Sequence, residues 1–243
     1  MNIIADTHTH TSACQHAYST LIENVTYAKK IGLKAIANTE HGPTIPGAPH
    51  YWFHSNQKCL PRFVEDILVL RGCEVNIIDF SGSLDIAEGD LAKLDWVIAS
   101  FHEQVVTPGT VEQHTNAYLA IARNPHVDVI GHCGDGRFRF DYEAGVKAFK
   151  EHNKIVEINS HSFAIRPGSK QNCREIALLC KQYEVPIVIS SDAHFCTEVG
   201  SFDHSIQMLQ EIDFPQELIL NADWERFFAA AAQRAPDHLQ KLK

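Results

Sequence analysis

The segment at residues 127–160, VDVIGHCGDGRFRFDYEAGVKAFKEHNKIVEINS, carries the pattern on which the fold is read. The apolar run VDVIGH (127–132) reads as a strand, DYEAGVKAFKEHN (141–153) as a helix, and KIVEINS (154–160) as a second strand. Strands separated by a helix of about a dozen residues argue for a parallel βαβ unit. The unit repeats in both directions. Upstream come strand NIIA (2–5), helix LIENVTYAKKIG (21–32) with Gly32 as its stop, and strand LKAIAN (33–38). A polar loop (40–57) leads to strand ILVLRGCEVNII (67–78), a hairpin in DFSGSLDI (79–86) turning at Ser81-Gly82, strand LDWVIASFH (94–102) and helix TVEQHTNAYLAIARN (110–124), ended by Asn124-Pro125. Downstream come helix KQNCREIALLCKQYE (170–184), strand VPIVISSDAH (185–194) and two closing helices, FDHSIQMLQEI (202–212) and NADWERFFAAAAQR (221–234). About seven such units are counted, with no spacer, repeat or low-complexity segment between them. A single α/β domain is expected, as a (β/α) barrel, with an open parallel sheet as the alternative.

The bulk numbers narrow the class. A chain of 243 residues suits one large domain. Its formal charge is −9, from 21 basic and 30 acidic residues, and no basic patch stands out. Nucleic-acid binding through phosphate contacts is therefore disfavoured, although bound metal ions can reverse the local charge of an acidic protein. The seven cysteines are odd in number and form no C-x-x-C pair, so they read as buried thiols in a reducing compartment. The run Ile3-Ile4-Ala5 is too short for a signal peptide, and nothing approaches the roughly 20 apolar residues of a membrane span. A cytoplasmic protein without membrane partners is expected, and oligomeric state stays open.

Histidine is the outlier, with 15 copies. In a parallel barrel, functional residues gather where strands end. Here the strands run into Asp6, His8 and His10; Glu40-His41; His102-Glu103; His132; Glu157-Ile158-Asn159; and Asp192-Ala193-His194, while Glu74 sits inside an apolar strand. Residues two apart on an extended strand leave from one face, so His8 with His10, and Asp192 with His194, can serve one cluster. A buried carboxylate such as Glu74 calls for a cation beside it. The scattered histidines His50, His54, His114, His126, His152, His161 and His204 read as surface or satisfied core groups. The aromatic loop at residues 43–58, with His50, Tyr51, Trp52 and Phe53, reads as packing at the barrel rim, with a lid as the other reading.

Taken in order, D-x-H-x-H at 6–10, His16, EHG at 40–42, the strand glutamate Glu74, FHE at 101–103, GH at 131–132 and SDAH at 191–194 resemble the PHP (polymerase and histidinol phosphatase) superfamily, closest to its stand-alone bacterial phosphatases with a trinuclear zinc site. The resemblance runs from Asp6 to about Asn221 and implies a distorted (β/α)7 barrel forming one domain over residues 1–243. The motif-bearing barrel would span about 1–221, with a C-terminal helix at about 222–243. It also implies a ligand set. His8, His10, Glu74 and Asp192 would hold one ion; Glu74, His102 and His132 a second; His16, His41 and His194 a third. Zinc suits these donors, and manganese and iron stay open. Asp6 and Glu40 are expected behind the ligands, with Glu40 orienting the imidazole of His41. The family pattern has aspartate before that histidine and Pro-Gly after His132, where this chain has Glu40 and Cys133-Gly134.

The implied activity is hydrolysis of a small phosphomonoester by a water that the ions deprotonate near neutral pH. Glu74, Asp192 and His194 take catalytic as well as ligand roles, and Arg166 and Arg137 are the candidates for anchoring substrate. Phosphodiesterase or 3′–5′ exonuclease activity on nucleic acid is the alternative. Histidinol-phosphate specificity is a narrower version of the first reading, and a non-catalytic metal store is the reading from another class.

Overall fold

Seven parallel strands wrap into a nearly closed barrel in the computed structural model, which describes residues 1–235 and 239. In chain order the strands are β1 (Ala5–Thr9), β2 (Ala35–Asn38), β3 (Phe63–Val64), β4 (Ile67–Asn76), β5 (Trp96–Ser100), β6 (Val129–Ile130), β7 (Ile155–Asn159) and β8 (Ile187–Ser190). All but β3 pair in parallel, in sequence order; β3 is a short antiparallel strip on β4. The ends meet where Thr9 bridges Ala193 and His10 N donates to Ala193 O at 2.9 Å. The open-sheet alternative is thereby excluded.

The helices are α1 (Leu21–Lys30), α2 (Trp52–Asn56), α3 (Glu88–Leu91), α4 (Val111–Arg123), α5 (Tyr142–Glu151), α6 (Ser162–Ile165), α7 (Ser169–Tyr183), α8 (Asp203–Glu211) and α9 (Trp224–Arg234). Capping side chains set where several begin. Thr20 with Glu23 and Thr110 with Gln113 form capping boxes on α1 and α4, and Asp141 and Asp223 cap α5 and α9. Each cap satisfies amide groups that the first helical turn leaves without partners.

Two apolar layers hold the barrel. The outer layer lies between the sheet and its surrounding helices, with Val69, Val97, Ile121, Val146, Ile176 and Leu209 among its members. The inner layer joins Ala5, Ala35, Leu68, Trp96, Val129, Ile155 and Val188 to Phe227 and Ala231 of α9. These strand residues all lie near the starts of their strands, so α9 plugs the N-terminal end. The Trp96 and Phe227 rings are 5.9 Å apart, and Phe227 is fully buried. Truncating such an aromatic typically costs about 3–5 kcal/mol. With one end filled by α9, the opposite end is left for chemistry.

Several boundaries differ from the sequence reading. The first strand is Ala5–Thr9 and not residues 2–5, because its ladder to β2 begins at Ala5. β6 is only two residues long. The loop at 40–57 contains α2, which the aromatic sequence did not signal as helix. The expected hairpin appears as an antiparallel bridge between Ile77 and Leu84, with Gly82 at φ +85°. The closing helix runs Trp224–Arg234; the expectation that it extends to 243 falls partly on residues outside the described ones.

Candidate metal centre

The C-terminal ends of the strands deliver nine metal-capable side chains to one place, by three local devices. On β4 and β5, plain alternation suffices: Leu68 and Leu70 face the interior, and so does Glu74; Trp96 and Ile98 do, and so does His102. On β1, Ala5 faces the interior, so strict alternation would send His8 and His10 outward. The pairing register shifts between Asp6 and Thr9, and this irregularity turns both histidines inward. His132 and Asp192 have φ of +22° and +56°, a left-handed backbone uncommon for residues with a side chain. Such strain persists where surrounding contacts hold it.

Glu74 is the hub. Its Oε1 lies 2.7 Å from His132 Nε2 and 3.2 Å from His102 Nε2. Its Oε2 lies 2.7 Å from His41 Nδ1, 3.4 Å from His8 Nε2 and 3.7 Å from His10 Nε2. His8 and His10 are 3.1 Å apart through their Nε2 atoms, and Asp192 Oδ1 stands 3.6 and 3.2 Å from them. At the outer edge, His16 Nε2 and His41 Nε2 are 3.0 Å apart, and the His194 ring lies 5.1 Å from that of His16. Two ligands at 2.0–2.1 Å from one ion, at tetrahedral angles, stand roughly 3.3–3.4 Å apart. The observed spacings bracket that value.

The electrostatics call for cations. Burial pushes Glu74 up, but the facing His102, His8 and His41 outweigh it and hold its carboxyl well below the usual range. Asp192 behaves likewise, with His8, His10 and Arg166 overcoming burial. Burial pushes His8 down, yet Glu157, Glu74 and Asp192 hold it well above its ordinary value. His10, also opposed by burial, is carried up to about 9 by its contacts with Asp192 and Glu40. Burial and the neighbouring His10 push His41 well below the imidazole range and His194 down to about 4. The carboxylates thus draw positive charge inward. Without metal, protons supply it; divalent ions binding to the same nitrogens displace those protons.

Unpaired atoms give a second test of fit. His10 Nδ1, His41 Nδ1, His102 Nε2 and Glu74 Oε2 are buried without a hydrogen-bond partner. His41 Nδ1 and Glu74 Oε2 are 2.7 Å apart, yet neither is aligned to bond the other. Each such orphan costs about 1–3 kcal/mol, and a cation bound between Glu74 Oε2 and the facing imidazoles, or at His102 Nε2, removes that cost at those atoms. This donor set fits divalent metal ions.

Behind the ligands stands a row of supports that the sequence reading did not assign. Glu157 Oε1 is 2.6 Å from both His8 Nδ1 and Ser190 Oγ, and its Oε2 accepts from His132 N at 2.6 Å. Asn76 Oδ1 meets His102 Nδ1 at 2.7 Å, and Asn159 Nδ2 donates to Asp192 Oδ2 at 3.1 Å. The signal for Glu157 was the same as for Glu74: a carboxylate inside an apolar strand. Glu40 corrects an expectation. It accepts from Thr11 N and Oγ1 at 2.9 and 3.2 Å and stands 3.3 Å from His10 Nδ1, not behind His41. Asp6 accepts from Ser191 N, Ser191 Oγ and Gly200 N, pinning the segment that carries Asp192. Burial pushes its carboxyl up to about 6 against those bonds.

A cavity of about 550 Å³ opens over the cluster and is bordered by Arg137 and Arg166. Arg166 bonds Ser162 Oγ at 2.8 Å and Asp192 Oδ2 at 3.2 Å through Nη1. Arg137 is already neutralised: Asp135 takes it at 2.7 and 3.0 Å, and Glu103 pairs with Nη1. His161, read from sequence as background, lines the same cavity. His114 is satisfied on both ring nitrogens, by Arg139 O (2.7 Å) and Gly109 N (2.8 Å), whereas His54 meets His41 O at 3.1 Å through Nε2 and leaves its buried Nδ1 without a partner. His50 packs on Tyr51 and Trp52, away from the cluster.

A family model described as the PHP domain matches residues 6–161. A probable phosphatase of Clostridium novyi is 49% identical over 224 residues, covering 92% of this chain and 92% of that one. A probable phosphatase of Acetivibrio thermocellus is 44% identical over 227 residues, covering 93% and 94%. Among solved structures, histidinol phosphate phosphatase from Lactococcus lactis, complexed with zinc, L-histidinol and phosphate, has a TM-score of 0.60 at 19% identity, covering 87% of this chain and 94% of that one; the likeness is one of fold. The chain belongs to the PHP domain family.

Proposed function

We propose that this metal-dependent phosphatase hydrolyses small phosphomonoesters at a centre of three divalent ions, with zinc the best match to an imidazole-rich donor set. The observation that carries the reading is Glu74, one buried carboxylate within 3.7 Å of five imidazoles. His8, His10, Glu74 and Asp192 would hold one ion, Glu74, His102 and His132 the next, and His16, His41 and His194 the third. When bound, the ions supply a water of lowered pKa and positive charge for the phosphate oxygens.

The chain's own groups orient the rest. Three divalent ions carry six charges, and the buried carboxylates Glu74, Asp192, Glu157 and Glu40 formally offset four. Two remain, which matches a phosphate dianion, and Arg166 adds a further positive charge at the rim. Asp192 divides its oxygens: Oδ1 faces His8 and His10, while Oδ2 receives Arg166 and Asn159. Both hydrogen bonds of Arg166 leave from Nη1, so its other N–H groups are placed to meet a phosphate oxygen. Arg137, saturated by Asp135 and Glu103, shapes the rim instead. His194 is one-quarter exposed at the mouth, where a leaving group would depart. A cavity of about 550 Å³ is of small-molecule size. No helix among the described residues is long and apolar enough to cross a membrane, and the seven unpaired cysteines support a reducing, cytoplasmic setting.

The test is a comparison of zinc-loaded protein on an aryl phosphate, a mononucleotide and a short single-stranded oligonucleotide. The monoesters should turn over and the strand should stay intact. Faster cleavage of the strand would reassign the site to phosphodiester chemistry, and metal binding without turnover of any ester would make it a store.

A further inference from the structure

Among the described residues, only one group of metal-capable side chains includes a cysteine: Cys14, His16 and His41, whose ligand atoms all lie within 4.8 Å of one another. Cys14 Sγ is 3.1 Å from His16 Nδ1 and 3.6 Å from its Nε2. Buried thiols ordinarily behave as small apolar groups. Cys73, Cys133, Cys173 and Cys180 do so, packed within the outer apolar layer. Cys14 is equally buried but belongs to neither apolar layer. Its backbone is fixed: Cys14 N donates to Thr11 O at 3.0 Å, Ala17 N donates to Cys14 O at 3.2 Å, and the adjacent Gln15 N donates to Gly47 O at 2.9 Å. A tight turn therefore presents the sulfur beside the two imidazoles that approach each other to 3.0 Å.

We infer that Cys14 is a thiolate ligand of the ion held by His16, His41 and His194, completing it with one sulfur and three nitrogens. The inference rests on the three-ion reading above. As the sulfur–metal bond forms, the S–H bond breaks and its proton leaves to solvent; no oxidation is involved. Two consequences follow from coordination chemistry. A soft sulfur donor biases this position toward zinc over manganese. Four protein ligands close a tetrahedral site, whereas catalytic ions keep a position open. By the same count the ion of His8, His10, Glu74 and Asp192 is also closed, so the open position, and with it the water and the phosphate, falls to the ion of Glu74, His102 and His132.

The test loads the metal-free full chain with cobalt(II), counts bound ions and records the near-ultraviolet spectrum. Wild type should bind three ions and show one thiolate-to-cobalt charge-transfer band. Cys14→Ser should lose the band and hold one of the three ions about tenfold or more weakly, with the other two unchanged. Three bound ions without the band in wild type would overturn the role of Cys14 while leaving the three-ion centre standing, and that reading needs no variant to fold. A band that persists in Cys14→Ser with unchanged binding would also overturn it. Failure to bind cobalt at all would overturn both.

Discussion

Replacing Glu157 by glutamine isolates what holds the ligands in place. The carboxylate receives three short bonds, each 2.6 Å long: His8 Nδ1 and Ser190 Oγ on Oε1, and His132 N on Oε2. Glutamine keeps the volume and has one oxygen. If that oxygen faces His8, the new amide opposes His132 N–H; reversed, it opposes His8. Either way one buried donor loses its acceptor, at about 1–3 kcal/mol, which converts to roughly 5- to 150-fold in an equilibrium constant. Loss of an outer partner of a metal-bound histidine typically weakens binding about 10–100-fold, in the same range. Zinc competition against a chromophoric chelator should show the ions held by His8 and His132 weakened to that extent. The ion at His16 and His41 should stay within about threefold of wild type, because none of its ligands touches Glu157. Unchanged affinity at every site, or equal loss at all three, would refute the claim that Glu157 sets this geometry.

Other outcomes follow from the same contacts. Glu74→Gln should lower kcat by about a hundredfold or more and reduce the metal count in elemental analysis, since Oε1 of Glu74 meets His102 and His132 while Oε2 meets His8 and His10; full metal with normal turnover would contradict this. Arg166→Met should raise KM for phosphate esters and weaken inhibition by inorganic phosphate about 10–100-fold, the worth of a charged hydrogen bond, whereas Arg137→Met should change either by less than about threefold. The opposite ranking would move the anchor to Arg137. Asp128, beside Arg234, has its carboxyl pushed up to about 7 by burial against that guanidinium. The folded state then holds this proton more tightly than the unfolded chain, in which aspartate titrates near about 3.9. Its contribution is fully present below about pH 4 and is lost as pH rises through about 7. Urea midpoints of the metal-free protein should show this fall flattened in Asp128→Asn; parallel profiles would refute it.

The barrel was legible because its strands are buried on both faces and read as continuous apolar runs such as ILVLR and IVEIN, separated by capped helices. The clustering of His8, His41, Glu74, His102, His132 and Asp192 was legible because parallel strands all end at one rim. What stayed hidden depends on the third dimension. The inward turn of His8 and His10 needs a register shift that no residue in ADTHT announces. Arg137 and Arg166 look alike in sequence, and only the approach of Glu103 and Asp135 separates a spent guanidinium from an available one. The family pattern implies that Glu40 supports the adjacent His41, but its carboxylate stands 3.3 Å from His10 Nδ1, a contact that chain order does not announce. The helix in the aromatic loop lacks a capping side chain, so nothing local marked its start.

The most direct measurement is a zinc titration of chelator-stripped protein, followed by the hydrolysis rate of an aryl phosphate. The account predicts no activity without metal, a rise as the sites fill and a plateau at three equivalents per chain. Full activity in the stripped protein, or a plateau at one equivalent, would contradict it.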